Sequence, residues 1–145
     1  MKVNCSLLFL TLLIACEDPC WQAECFYSTE YRFNLIDTSG IDLIIGDRPE
    51  YSLNQLMIVD SLNNTYNIKI GDFGETSALI VTLSGEQIHY SLVLNGQVLD
   101  NFLVIYELRQ EECCGLTPWI INVEFEKLRT ELSKDDVGSM YIYPE

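Results

Sequence analysis

The sequence predicts an all-β protein: an immunoglobulin-like β-sandwich of about eight or nine antiparallel strands, with a small antiparallel β-barrel as the alternative. Three observations predict it. Apolar residues recur with a period of two over most of the chain. Turn-forming residues interrupt them every dozen or so positions, and no apolar stripe of helical period follows the first 15 residues. Periodicity does not separate a closed sheet from two stacked ones, so the barrel stays open.

Taken in order, Tyr31, Phe33 and Leu35 alternate with Arg32 and Asn34, and Asp37-Thr38-Ser39-Gly40 supplies a turn. Ile41–Ile45 is a second short apolar run, closed by Gly46-Asp47-Arg48-Pro49, and Gln55–Asp60 a third, ended by Ser61-Leu62-Asn63-Asn64. Tyr66, Ile68 and Ile70 alternate with Asn67 and Lys69 before Gly71-Asp72-Phe73-Gly74. Leu79, Val81 and Leu83 precede Ser84-Gly85. Ile88, Tyr90, Leu92 and Leu94 lead into Asn95-Gly96, the strongest two-residue hairpin signal in the chain, since both positions of a type I′ turn need positive φ. Phe102–Tyr106 is continuously apolar, as expected of a strand covered on both faces. Trp119, Ile121, Val123 and Phe125 alternate with Asn122, Glu124 and Glu126. Arg129–Asp135 has room for one helical turn, and Ser139–Tyr143 reads as a last strand.

The N-terminus carries a different message. Lys2 is followed by an apolar run, Leu7–Ile14, broken only by Thr11. That is the charge and apolar pattern of a secretory signal peptide, and a run this short does not reach the ~20 residues of a membrane-spanning helix. Leu13-Ile14-Ala15-Cys16 then resembles the lipobox of bacterial lipoproteins: an apolar residue, a tolerant position, a small residue and cysteine. The resemblance covers residues 1–16. It implies a removed signal peptide (1–15), a diacylglycerol thioether on Cys16, a lipidated arm (16–30) and a sandwich domain (31–145) in the cell envelope, at the outer membrane, facing the periplasm or the cell surface. Glu17-Asp18 reads either as a surface-export signal of some Gram-negative lipoproteins or as a polar spacer. Beyond the lipobox, the late Cys-Cys-Gly and the Asn-Gly hairpin give the chain a general likeness to small β-sandwich lipoproteins of Gram-negative bacteria, which brings no binding residues with it.

Charge and cysteines bound the function. Eight basic residues stand against 22 acidic ones, a net charge of −14, and loss of Lys2 with the signal leaves the remainder one unit more negative. Nucleic acid and anionic lipid are therefore unsuitable partners, because phosphate binding needs clustered Lys and Arg, whereas a cationic protein is electrostatically favoured. Of six cysteines, Cys5 leaves with the signal and Cys16 takes the lipid, so Cys20, Cys25, Cys113 and Cys114 form an even set in an oxidising compartment. Adjacent Cα atoms lie about 3.8 Å apart, too close for an easy Cys113–Cys114 bond. Cys20 and Cys25 are thus expected to pair each with one of Cys113 and Cys114, pinning the arm to the late strands. A Cys₄ zinc site is disfavoured by the lack of Cys-x-x-Cys spacing.

No catalytic constellation is expected. His89 is the single histidine and no Gly-x-Ser-x-Gly elbow accompanies it. Glu107, Glu111, Glu112, Glu124 and Glu126 offer carboxylate pairs, but in so acidic a chain a solvated face is the plainer reading. Asp37, Asp42, Asp47, Asp60 and Asp72 lie near turns without a calcium-loop register. Tyr51, Tyr66, Tyr141 and Tyr143 are candidates for a glycan-stacking platform. The expectation is a non-enzymatic, cofactor-free lipoprotein, without a metal site, that is held to a membrane through Cys16 and binds another protein. An inhibitor or immunity lipoprotein against a cationic enzyme and a glycan-binding module are the alternatives.

Overall fold

A computed structural model describes Cys20, residues 29–132 and residues 140–143. Its strands are β1 (Glu30–Leu35), β2 (Leu56–Asp60), β3 (Thr65–Tyr66), β4 (Ile68–Phe73), β5 (Thr76–Thr82), β6 (His89–Leu94), β7 (Gln97–Glu111), β8 (Gly115–Phe125), β9 (Arg129–Leu132) and β10 (Met140–Tyr143). They form two five-stranded sheets, ordered β4-β5-β1-β10-β9 and β3-β2-β6-β7-β8. Each sheet ends on open edges among the described residues, so the architecture is a β-sandwich and not a closed barrel. All strand pairs named are antiparallel except β1 with β10, which run parallel.

The core lies between the sheets and follows the alternation in the sequence. Tyr31, Phe33 and Leu35 of β1, Leu79 and Val81 of β5 and Ile68 of β4 point in from one side. Leu56 and Ile58 of β2, Tyr90 and Leu92 of β6, Phe102 and Val104 of β7 and Val123 of β8 meet them from the other. Within the second sheet, Tyr66, Tyr90, Phe102 and Phe125 form a chain of ring contacts with centroids 4.9 to 5.5 Å apart. Such pairs contribute about 0.5–1.5 kcal/mol each beyond their buried area. The Asn95-Gly96 turn is as the sequence predicts, with φ of 51° and 77° joining β6 to β7.

Four local expectations change. The apolar run Ile41–Ile45 is no strand but a bent segment with a single bridge, Ile36 to Asp42. Asp42 explains it: Oδ1 accepts the N–H groups of Ile44 and Ile45 at 2.8 and 2.7 Å, an Asx-type capture that turns the chain while Leu43 and Ile44 stay buried. Arg129–Leu132 is a strand and not a helical turn, because β10 pairs with it. The alternating run from Tyr66 to Ile70 belongs to both sheets: β3 pairs with β2, β4 with β5, and the chain crosses over at Asn67. Phe102–Tyr106 is covered on the core face only; Leu103 and Ile105 are half-buried on the other.

Strand β8 departs from simple alternation as well. Ile105 lies opposite Asn122 but Tyr106 opposite Ile120, so Ile121 is an extra residue. This bulge turns Ile121 out to solvent, 55% exposed, and sets Val123 and Phe125 on one side of it and Ile120 on the other against the core. Pro118 is tolerated in β8 because this strand is the edge of its sheet.

Candidate functional site

Two features of the second sheet stand out from the packing. The first is its outer face, where β6, β7 and β8 line an open groove of about 490 Å³ that includes His89, Ser91, Asn101, Glu124 and Glu126. Register places these side chains in rows across the strands: Ser91 opposite Asn101, and His89 opposite Leu103, which in turn faces Glu124. The Ser91 hydroxyl donates to Asn101 Oδ1 at 2.8 Å, and Asn101 Nδ2 donates to Glu126 Oε2 at 3.1 Å. Asn122 Nδ2 donates to Glu124 Oε1 at 2.9 Å. The result is a polar strip, fixed by its own hydrogen bonds, that ends in two exposed carboxylates.

His89 is exposed and separated from Glu124 by the whole of β7, two strand spacings or about 10 Å. Of the serines that line the groove, Ser91 donates to Asn101 and Ser61 to Gln87. A nucleophile, a base and an orienting acid are therefore not aligned here. Ile88, expected to share an inward face with Tyr90, precedes the strand and is 48% exposed.

The second feature is the far half of the β7–β8 hairpin. Strand β6 pairs with β7 only as far as Leu103, and from Tyr106 onward β7 has β8 alone as its partner, up to Glu111 opposite Gly115. This two-stranded arm carries Tyr106, Leu108, Gln110, Leu116, Pro118 and Ile120 on one face and Glu107, Arg109, Thr117 and Trp119 on the other. Arg109 lies over the Trp119 ring at 4.6 Å and pairs with Glu107 at 3.0 Å, and the indole N–H donates to the buried Thr117 hydroxyl. At the arm's base Pro118 packs on Gly85, where φ is +75° and a Cβ would come within 2.7 Å of the proline ring. Burial, the neighbouring Tyr90 hydroxyl and its charge all push the Tyr106 phenol far above its ordinary value, so it stays a neutral hydrogen-bonding group.

At the arm's tip Cys113 is disulfide-bonded to Cys20, with Cα atoms 5.1 Å apart. This is one of the pairings the cysteine spacing predicts. Cys114 is disulfide-bonded too. Cys25 lies outside the described residues, as do the signal segment 1–15, the lipobox cysteine Cys16 and most of the arm 16–30.

Glu107 is paired to Arg109, Glu111 closes β7, Glu112 is exposed in the tip turn, and Glu124 and Glu126 face outward from the groove. Asp37 accepts the N–H groups of Ser39 and Ile41, and Asp72 the Ser77 hydroxyl, while Asp47 is exposed in the loop. Among the described residues no three His, Cys, Asp or Glu side chains gather where an ion would fit. Tyr66 is turned inward, edge-on to Tyr90 and donating to Asp60, and Tyr51 packs half-buried against the core, so neither is a free stacking platform. Tyr141 and Tyr143 occupy β10 opposite Glu131 and Arg129.

Asp60 organises the β2–β3 turn. Its carboxylate accepts the N–H groups of Leu62 and Asn64, the Asn64 side-chain amide and the Tyr66 hydroxyl, all at 2.8–2.9 Å. Burial acts to raise its pKa, but these hydrogen bonds outweigh burial and hold the carboxyl below the ordinary aspartate value. A carboxyl depressed in the folded state adds stability above its unfolded pKa of about 4, and that stability is lost as pH falls through the folded value. Urea unfolding of the wild type and Asp60→Asn at pH 7 and pH 3 is expected to show a large gap at pH 7 that shrinks at pH 3. A gap independent of pH would refute the role assigned to the ionised carboxylate.

Sequence reasoning missed the Ser91–Asn101–Glu126 chain, the Arg109–Trp119 stack and the part played by the buried Asp100. The first had a signal available, because the Asn95-Gly96 turn fixes which β6 and β7 residues share a face. Among the described residues no helix is long and apolar enough to cross a membrane. Comparison with protein-family models, with curated proteins and with solved structures finds no match to this chain.

Proposed function

We propose that the chain is a lipid-anchored envelope protein whose β-sandwich is a non-catalytic module for binding another protein. The observation that carries this reading is the disulfide from Cys20 to the tip of the β7–β8 arm. It supports an oxidising compartment, and Cys20 lies only four residues beyond the lipobox cysteine Cys16. A second bond, Cys25 to Cys114, completes the staple and leaves no thiol over once Cys16 carries lipid and Cys5 has left with the signal peptide.

The binding face is the strip on β6–β8. Hydrogen bonds fix Asn101, Asn122, Glu124 and Glu126 before any partner arrives, which lowers the ordering cost of association. With a chain net charge of −14, the favoured partner presents a basic surface, and the charge speeds encounter more than it adds affinity. A subunit of an envelope assembly fits this description. An inhibitor or immunity protein directed at a cationic enzyme would use the same carboxylates, and is the second reading.

Cross-linking on intact cells, followed by mild detergent extraction, tests the proposal. The wild type is expected to capture one partner reproducibly, and Glu124→Lys/Glu126→Lys to lose roughly tenfold in capture at low salt and less at high salt. Recovery of the domain always alone, or capture indifferent to the charge reversal, would overturn it.

A further inference from the structure

We infer that the face of the β7–β8 arm bearing Leu108 and Leu116 is a membrane-contact surface, seated in the headgroup region of the bilayer that holds the lipid anchor. The inference rests on the anchoring proposed above and adds an orientation to it. Leu108 and Leu116 are each 63% exposed. They share one face of the arm, since Leu108 lies opposite Pro118 and Leu116 opposite Gln110. That face is continuous with the core-facing side of the sheet, where Tyr106 and Ile120 pack against the core, while Leu108 and Leu116 extend beyond it into solvent.

The position of the tether identifies the occupant. Leu116 is one rung from the last pair of the arm and Leu108 three, so both lie within about 10 Å of the tip along the strands. Cys113 in that tip is bonded to Cys20, and four residues of chain from Cys16 to Cys20 span at most about 14 Å. An acyl chain on Cys16 thus holds the arm's end at the bilayer, and the two exposed leucines lie at that same end. Trp119, with Arg109 stacked on it, lies on the opposite face of the arm one rung from Leu108, near enough to report on the surroundings of the leucines. Glu111 and Glu112 at the tip make a zwitterionic surface the suitable one and an anionic surface unfavourable. Two leucines are too few to bind a bilayer alone; they orient a protein already tethered to it. In that orientation the Asn95-Gly96 turn, at the other end of the 15-residue β7, stands about 50 Å away, and the groove face is displayed to the side.

The test uses the lipidated protein purified from membranes and reconstituted into phosphatidylcholine vesicles whose acyl chains are brominated near the headgroup. Trp21→Phe makes Trp119 the single reporter. Emission is expected to fall by roughly half or more against unbrominated vesicles, and Leu108→Ser/Leu116→Ser to cut that quenching to roughly a fifth or less of its value. Val98→Ser, equally exposed but beside the distant turn, is expected to leave it unchanged. An acylated protein with Trp119 unquenched, or quenched without regard to the two leucines, overturns the contact surface while the anchor stands. A sample whose intact mass lacks acyl chains overturns the anchor and this orientation with it.

Discussion

Replacing Cys20, Cys25, Cys113 and Cys114 together by alanine, so that no bond holds the arm, is expected to lower the stability of the domain by at least about 4–5 kcal/mol. The figure follows from loop closure: the bond joins residues 93 apart, and a cross-link that long removes a large share of the unfolded chain's freedom. The effect is large because little else described holds the arm's tip. Apart from the disulfides, the contacts described for the arm past Tyr106 are its own two strands, Pro118 against Gly85, one exposed Glu107–Arg109 pair and the Arg109–Trp119 stack. An exposed ion pair contributes at most about 1 kcal/mol. Urea unfolding of the oxidised wild type and the four-cysteine variant, without reductant, measures the difference. A loss below about 1 kcal/mol would mean that the bond decorates an arm already held by other contacts.

Asp100→Ala is expected to cost about 3 kcal/mol. Asp100 is 1% exposed, and its carboxylate accepts three backbone N–H groups: Asn101 at 2.8 Å through Oδ1, and Lys127 and Leu128 at 3.0 and 2.8 Å through Oδ2. The last two belong to the connection from β8 to β9, which this one side chain docks beneath β7 while Leu128 enters the core. Alanine leaves those donors buried without partners, and each such donor costs about 1–3 kcal/mol. Asp100→Asn keeps one acceptor oxygen but sets an amide against the remaining N–H groups, so it is expected to fall between. Denaturant midpoints give the totals. Hydrogen exchange at Lys127 and Leu128 localises the effect, with both amides losing protection first. An alanine variant within about 0.5 kcal/mol of wild type would contradict the role.

How much of this was legible in the residues differs from feature to feature. Alternation in Tyr31–Leu35, Leu79–Leu83 and Tyr90–Leu94 reads directly, because a period of two in a half-buried strand has no other economical explanation. Asn95-Gly96 fixed its turn for the same local reason. The spacing argument on the cysteines narrowed the partner of Cys20 to Cys113 or Cys114, since adjacent cysteines disfavour bonding to one another, and the structure shows Cys113. What could not be read was non-local. Nothing in Thr65–Phe73 says that the chain changes sheets at Asn67, and the parallel pairing of β1 with β10 joins the two ends of the domain.

The acidic residues mislead in a different way. Asp42 and Asp60 look in sequence like members of a solvated acidic population, or like loop ligands for an ion, and Asp100 is one more acid among 22. In the structure each turns its carboxylate onto nearby backbone N–H groups and shapes a turn. Charge counting does not reveal this, because the donors come from the main chain. Leu108 and Leu116 were hidden for a related reason: one additional apolar residue in a strand pattern reads as core until its neighbours across the sheet are known.

The most direct test of the central claim is the intact mass of the protein extracted from membranes, taken before and after alkylation without reductant. A mass equal to residues 16–145 plus acyl chains, with no alkylated thiol, is the predicted result. It would fix the anchor on Cys16 and close both disulfides at once. A soluble, unacylated chain whose cysteines alkylate freely would contradict the account at its root.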